Sequence, residues 1–270
     1  MLTDAHCHPH DIFCVHTRDT SFSSAGYGPL SVKAAASACS PEEFAYNEEL
    51  SRGASKGSCV LYLCFAIHPQ IATKFPARIP DMDTLLQTLD TLAAQKRIAA
   101  AGEFGFDLYN AEFRETEVLQ DRLFSSQLET ALRYNLPVVL HVRRAMHKIF
   151  AVSKTLSKCR AVVFHSWPGT YEEARSLLGR GVNAYFSFGN AILLNHKQAQ
   201  RSCALLPMDR LLTETDAPYQ PRRGQKYSSW QDLPLILEAA ASLRSEAGNG
   251  ISAKDLEAQI EENFGNVFRD

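Results

Sequence analysis

Eight short apolar runs, separated by amphipathic stretches, recur through the whole 270-residue chain, and this alternation limits the fold more than any other feature. Parallel strand neighbours need a crossover between them, usually a helix, so such an alternation predicts a parallel α/β sheet. The runs lie near Leu2–His6, Ser31–Ala38, Cys59–Ile67, Ile98–Gly105, Pro137–Val142, Ala161–His165, Val182–Phe188 and Arg210–Thr215. Eight strands is the number that closes a barrel. The expected architecture is therefore a single (β/α)8 TIM barrel over residues 1–270, a natural size for that fold. A core of this size needs neither disulfide nor metal for stability.

The stretches between the runs carry helix marks. Ser40-Pro41-Glu42-Glu43 offers an N-cap serine, a proline at the first helical position and a glutamate placed for a capping box. Thr170-Tyr171-Glu172-Glu173 repeats the device, and Ser252 with Asp255 opens a last helix. Leu85, Leu86, Leu89 and Leu92 make one helical stripe; Leu119, Leu123, Phe124, Leu128 and Leu132 make another. Residues 9–30 are polar and show no helical period, so the first crossover reads as an irregular loop. Residues 218–230 also read as loop.

Composition removes several function classes. A formal net charge of −2 excludes a broad basic surface for gripping duplex DNA, so any nucleic-acid contact is local to a site. Seven cysteines, odd in number and without a C-x-x-C pair, point to a reducing compartment rather than a disulfide framework. No basic segment followed by an apolar stretch opens the chain, and no run approaches the roughly 20 apolar residues of a membrane span. The expectation is a cytoplasmic protein with no membrane and no obligate protein partner.

The chemistry lies at the strand ends. His6 and His8 are one residue apart on a strand, so both project from one face, which Asp4 shares. Glu103, His141, His165 and Asp216 each follow a separate apolar run. Such groups are costly to bury without partners. Their recurrence makes sense if they converge, as the C-terminal strand ends of a parallel barrel do. Six candidate ligands are too many for one tetrahedral ion. Arg143, two residues beyond His141, offers a guanidinium that matches phosphate oxygens.

Ordered motifs extend this pattern: Asp4-Ala-His6-Cys-His8, Ile67-His68-Pro69, Gly102-Glu103-Phe-Gly105-Phe-Asp107, Pro137-Val-Val-Leu-His141-Val-Arg143, Phe164-His165-Ser166 and Glu214-Thr215-Asp216-Ala217-Pro218. In these the chain resembles the TatD-like metal-dependent hydrolases of the amidohydrolase-type barrels. The resemblance implies that His6, His8 and Asp216 hold one metal and that Glu103 bridges to a second, held by His141 and His165. Two divalent ions about 4 Å apart would activate water for attack on a phosphodiester, with Asp216 as the base. It also places His68 beside the scissile phosphate, and Glu214, with Asp4, behind the ligands. Arg223, flanked by Arg222 and Lys226, adds positive charge for a polyanion.

The expected activity is that of a phosphodiesterase, a deoxyribonuclease acting on DNA ends, with hydrolysis of a C–N or ester bond in a small molecule as the alternative. Trp167, Tyr219 and Tyr109 are candidate stacking faces for bases. Four imidazoles favour zinc, manganese, cobalt or nickel, while the resemblance implies that magnesium or manganese supports nuclease turnover. Gln70 stands where family members commonly carry histidine, Arg144 where they carry aspartate, and Trp167-Pro168 where a smaller pair is usual. These departures bear on substrate rather than on the ligands.

Overall fold

The computed structural model describes residues 1–18, 30–53, 59–74 and 82–269. Each of the eight apolar runs forms a strand: β1 (Leu2–Cys7), β2 (Val32–Ala36), β3 (Cys59–Phe65), β4 (Ala100–Asp107), β5 (Val138–Arg143), β6 (Val162–Phe164), β7 (Ala184–Phe188) and β8 (Leu211–Thr213). All paired neighbours are parallel, and the sheet follows chain order from β1 to β8. The first and last strands meet where the site lies. Asp216 N–H donates to the His6 carbonyl at 2.9 Å, and His8 N–H donates to the Ala217 carbonyl at 2.8 Å. Below them the Thr213 hydroxyl donates to the Thr3 carbonyl at 2.9 Å.

Two apolar layers hold the barrel. The larger lies between strands and helices, where Leu85, Leu89 and Leu92 of the helix Met82–Ala94 and Leu123, Phe124 and Leu128 of the helix Glu117–Arg133 are buried. The inner layer takes one or more residues from every strand, among them Ala5, Ala35, Cys64, Ala100, Val139, Val163, Tyr185 and Leu212. Phe264, Val267 and Phe268 of the last helix, Ala253–Phe268, join this layer. Because strand side chains alternate faces, His141 two residues after Val139 and His165 two after Val163 stand above the inner layer.

Two of the three helix starts behave as the sequence predicts, and the third keeps its N-cap but not its capping box. Thr170 makes a full capping box with Glu173, and the Ser252 hydroxyl accepts from the Asp255 N–H. Ser40 accepts from the Glu43 N–H at 3.2 Å, but Glu43 returns its carboxylate to the Cys39 N–H at 2.7 Å, one residue earlier than a capping box would. No helix among the described residues is long and apolar enough to cross a membrane, and all seven cysteines are free thiols.

One expectation is corrected. Residues 9–18 are not loop but a helix, Pro9–Arg18, with proline at its first position and Asp11 in its first turn. Its apolar face is narrow: Ile12 is buried, while Phe13 remains 43% exposed beside Tyr46. Pro9 and Ile12 are the buried positions among its described side chains, too few to read a period from. Residues 19–29, the rest of the expected loop, lie outside the described residues. The loop after β8 is irregular as expected, up to a short 3-10 turn at Trp230–Asp232.

Phe264 is fully buried against Tyr62, at 5.2 Å between ring centroids, and Phe268, at 4.6 Å. Phe264→Ala is expected to cost about 3–5 kcal/mol of stability, read as a lowered midpoint in urea unfolding.

Candidate metal centre

Glu103 is the hub of the site. It is 5% exposed, and its two oxygens face different histidines. Oε2 lies 3.0 Å from His6 Nε2 and 3.7 Å from His8 Nε2. Oε1 lies 2.7 Å from His141 Nδ1, 3.0 Å from His165 Nε2 and 3.3 Å from His68 Nε2. Asp216 stands on the first side, its Oδ1 3.4 Å from His8 Nε2 and 3.5 Å from His6 Nε2. All six expected ligands therefore converge, and three overlapping ligand-like groups form: His6–His8–Asp216, His6–Glu103–His165 and His68–Glu103–His141.

Local backbone geometry makes this convergence possible. Gly105, between Glu103 and Asp107, has φ of +152°, and a Cβ there would collide with the His141 carbonyl, so only glycine lets β4 and β5 approach this closely. Asp216 has φ of +53°, in the left-handed region that aspartate tolerates better than most residues.

Partners behind the ligands fix their directions. The Asp107 carboxylate is fully buried; its Oδ2 sits 3.1 Å from His141 Nε2 and accepts from Gln70 Nε2 at 2.5 Å. That contact assigns the Nε2 proton of His141 and leaves Nδ1 as the ring's lone-pair donor toward the cluster. Ser37 Oγ lies 3.1 Å from His6 Nδ1. Glu214 is wholly buried, and its Oε1 lies 3.4 Å from His165 Nδ1 while accepting from the Ser166 N–H and hydroxyl. Gln220 Nε2 donates to Asp216 Oδ2 and to Ser166 Oγ, each at 2.7 Å. Asp4 acts through backbone: it accepts from the N–H groups of His6 and Thr215 and from the Thr215 hydroxyl, joining β1 to the end of β8.

His68 differs from the other imidazoles. Its Nδ1 accepts from the Gln70 N–H at 3.2 Å, which assigns the proton to Nε2. A neutral ring protonated at Nε2 is a hydrogen-bond donor there, not a ligand. Burial pushes His68 down to about 4 against the pull of Glu103, so the ring is neutral.

Electrostatics follow from the crowding. Burial alone would raise Glu103, but the field of the surrounding imidazoles, led by His165, outweighs it and holds its carboxyl well below the usual range. Burial would depress His8, yet the hydrogen bond to Asp216 and the charges of Asp216 and Glu103 lift it to about 9. His165 is likewise raised despite burial, chiefly by Glu103 and then Glu214. Asp107, which burial would raise, is drawn down to about 2 by its bonds to His141 and Gln70.

The cluster forms the floor of a cavity of about 820 Å³ at the C-terminal end of the barrel. Arg143 lines it, as expected, with its guanidinium 3.7 Å from the Tyr109 ring centre. Lys74 and Lys197 line it too, though no sequence motif marked them. Arg223 is exposed and outside the lining, and Arg222 beside it is held by Asp232 at 2.6 Å. Trp167 offers no open face: it is 3% exposed and packs edge-on to Phe186 at 4.6 Å. The Tyr109 ring is covered by Arg143, with Arg144 4.8 Å away. Trp167 and Tyr219 both line the cavity, and Tyr219 is the exposed one of the two.

A family model described as TatD related DNase matches residues 3–269. The chain belongs to that family. A relative from Pantoea vagans, named a 3'-5' ssDNA/RNA exonuclease TatD, is 31% identical over 210 residues, 75% of this chain and 76% of its own. A solved TatD homolog from Escherichia coli K12 superposes with a TM-score of 0.78 at 25% identity, covering all of this chain and 98% of that one. An uncharacterized amidohydrolase from Saccharomyces cerevisiae, at 14% identity and a TM-score of 0.76 over 99% of each chain, shares the fold.

In metal-free protein, Glu103→Gln is expected to lower the titration midpoint of His165 further than Glu214→Gln does, because Glu103 is the larger of the two raising charges. Ring-proton NMR across a pH series reads both shifts; an equal or reversed order would remove Glu103 from the centre of the cluster.

Proposed function

We propose that the whole chain is one catalytic unit, a metal-dependent 3'-5' exonuclease on single-stranded nucleic acid, with two divalent ions held on either side of Glu103. The observation that carries the reading is the split of the Glu103 carboxylate, one oxygen toward His6 and His8 and the other toward His141 and His165. The donor set fits: His6 is fully buried, and its Nε2 has no hydrogen-bond partner among the described residues although Glu103 Oε2 lies 3.0 Å away. A ring nitrogen in that position is placed for a cation rather than a proton. His6, His8 and Asp216 would hold one ion and His141 with His165 the other, Glu103 serving both. Imidazole-rich ligands favour zinc or manganese, with magnesium the weaker binder. When bound, the ions would supply Lewis-acid activation of water and offset charge on the phosphate.

The chain's own residues account for the rest. Asp216, held below the usual carboxylate range by the His8 hydrogen bond and nearby imidazoles against the effect of burial, is ionised and able to take a proton from the attacking water. Gln220 holds its second oxygen, so the first stays turned to the cluster. Arg143 sits on the cavity wall to grip non-bridging phosphate oxygens. The Nε2–H of His68 is a neutral donor for the same group. Gln70 sets both histidines, His68 through its own N–H and His141 through Asp107.

The deciding experiment uses metal-stripped protein, a 5'-labelled single-stranded DNA oligomer, and magnesium, manganese or zinc restored separately. Stepwise shortening from the 3' end that needs metal supports the proposal. No cleavage with any ion, while metal analysis finds the cluster loaded, would favour the small-molecule hydrolase instead. Asp216→Asn is expected to lower kcat by roughly 10²–10⁴-fold. Gln70→Leu is expected to weaken metal affinity by roughly 10–100-fold, measured by competition with a chelator.

A further inference from the structure

Three exposed side chains beside the cavity form a charged group that the cluster around Glu103 does not use. Arg143 is the last residue of β5 and Arg144 follows it, while Tyr109 lies two residues beyond the end of β4. Consecutive residues of a strand point to opposite faces. Arg144 has φ of +54°, in the left-handed region that an arginine rarely adopts, and there the alternation ends. Both guanidinium groups meet one ring. The central carbon of Arg143 lies 3.7 Å from the centre of the Tyr109 ring, and that of Arg144 lies 4.8 Å from it. The segment carrying the ring is tied down: Tyr109 N–H donates to Asp107 Oδ1 at 3.0 Å, and its carbonyl accepts from Arg144 Nη1 at 3.4 Å.

Packing on an aromatic face accounts for one arginine. It does not account for two, because like charges gathered at one ring repel each other. Several other exposed arginines of the chain sit against carboxylates: Arg97 on Glu48, Arg122 on Asp83, Arg133 on Asp90 and Arg201 on Glu172. Among the described residues no carboxylate lies within 4 Å of the Arg143 or Arg144 guanidinium. Stacking uses the flat face of a guanidinium and leaves N–H groups on its edge for an anion.

The two arginines differ in place. Arg143 lines the cavity, whereas Tyr109 and Arg144 lie outside its lining. Unpaired positive charge therefore runs from the cavity wall outward, over the crossovers that follow β4 and β5. We propose that Arg144 is a second phosphate subsite, which takes the phosphodiester next to the one gripped by Arg143 and leads a single strand out of the cavity over this sector. Tyr109 is the positioning residue that seats both guanidinium groups. Arginines placed in this way meet backbone charge and carry no base preference. The identity of the anion rests on the nuclease reading; the accumulation of unpaired charge does not.

The test compares the full chain with Arg144→Gln and Arg144→Lys, far-ultraviolet circular dichroism confirming the fold of each. Binding of a fluorescein-labelled single-stranded DNA decamer is followed by anisotropy across a salt series in EDTA, so that no metal-dependent cleavage intervenes. Arg144→Gln should weaken binding about 3–10-fold and flatten the slope of log Kd against log salt by about 0.7, the loss of one phosphate contact on a single strand. Arg144→Lys keeps the charge and should keep the slope. Tyr109→Leu should act like Arg144→Gln, and Tyr109→Phe, which retains the ring, should not. A slope unchanged in Arg144→Gln, or no binding by the parent chain, overturns the subsite. With metal restored, KM is measured for a thymidine trinucleotide with two phosphodiesters and a dinucleotide with one. Arg144→Gln should narrow the parent's preference for the trinucleotide. Equal losses on both would overturn the subsite and leave the nuclease reading standing. Binding that depends on Arg144 without cleavage by any ion would do the reverse.

Discussion

The barrel's working end depends on one carboxylate that has been taken out of water. Glu103 is almost fully buried, and an ionised group in that position is tolerable only with close compensating charge. Five imidazoles surround it, from strand ends or adjoining loops of β1, β3, β5 and β6, each within 4 Å of one of its oxygens, the neutral His68 offering an N–H rather than a charge. No single crossover could bring five such rings to one point. A closed parallel sheet does so because every strand delivers its end to the same rim.

Around that hub the ligands are held from behind by residues with small, directional tasks. Asp107, Glu214 and Ser37 each meet the far nitrogen of one ring, and Gln220 steadies Asp216. Gln70 links two of the histidines through a single side chain and its own N–H. Its amide carries no titrating proton, so the donor side of the contact to Asp107 does not change with pH. That gives one of the chain's departures from the family pattern a local physical meaning.

The parts legible in the sequence are those that repeat. Eight strands show as apolar runs, and the ligands show as polar residues at the ends of those runs, because burial makes both conspicuous. Asp107 was visible in principle: it lies four residues beyond Glu103 on β4 and closes the same motif. Ser37 and Gln220 were not, since a serine or glutamine beside a strand looks like any other loop residue until a partner from another strand stands opposite. The helix Pro9–Arg18 was missed because its buried face is little more than Ile12. Trp167 and Arg223 show the converse problem. An aromatic and a cation next to site motifs suggested substrate contacts, but packing against Phe186 takes up the first, and the second is exposed outside the cavity lining.

The seam between the first and last strands also governs when this site comes into being. Asp4 accepts from Thr215 across 211 positions of sequence, and the His6 carbonyl accepts from Asp216 beside it. These contacts have some of the longest loops to close in the chain, so they form late relative to local helices and neighbouring strands. A ribosome-bound chain emerging from its N-terminus carries His6 and His8 long before Asp216 exists to join them. The complete cluster is thus a property of the finished barrel alone, and a nascent or truncated chain holds only scattered imidazoles.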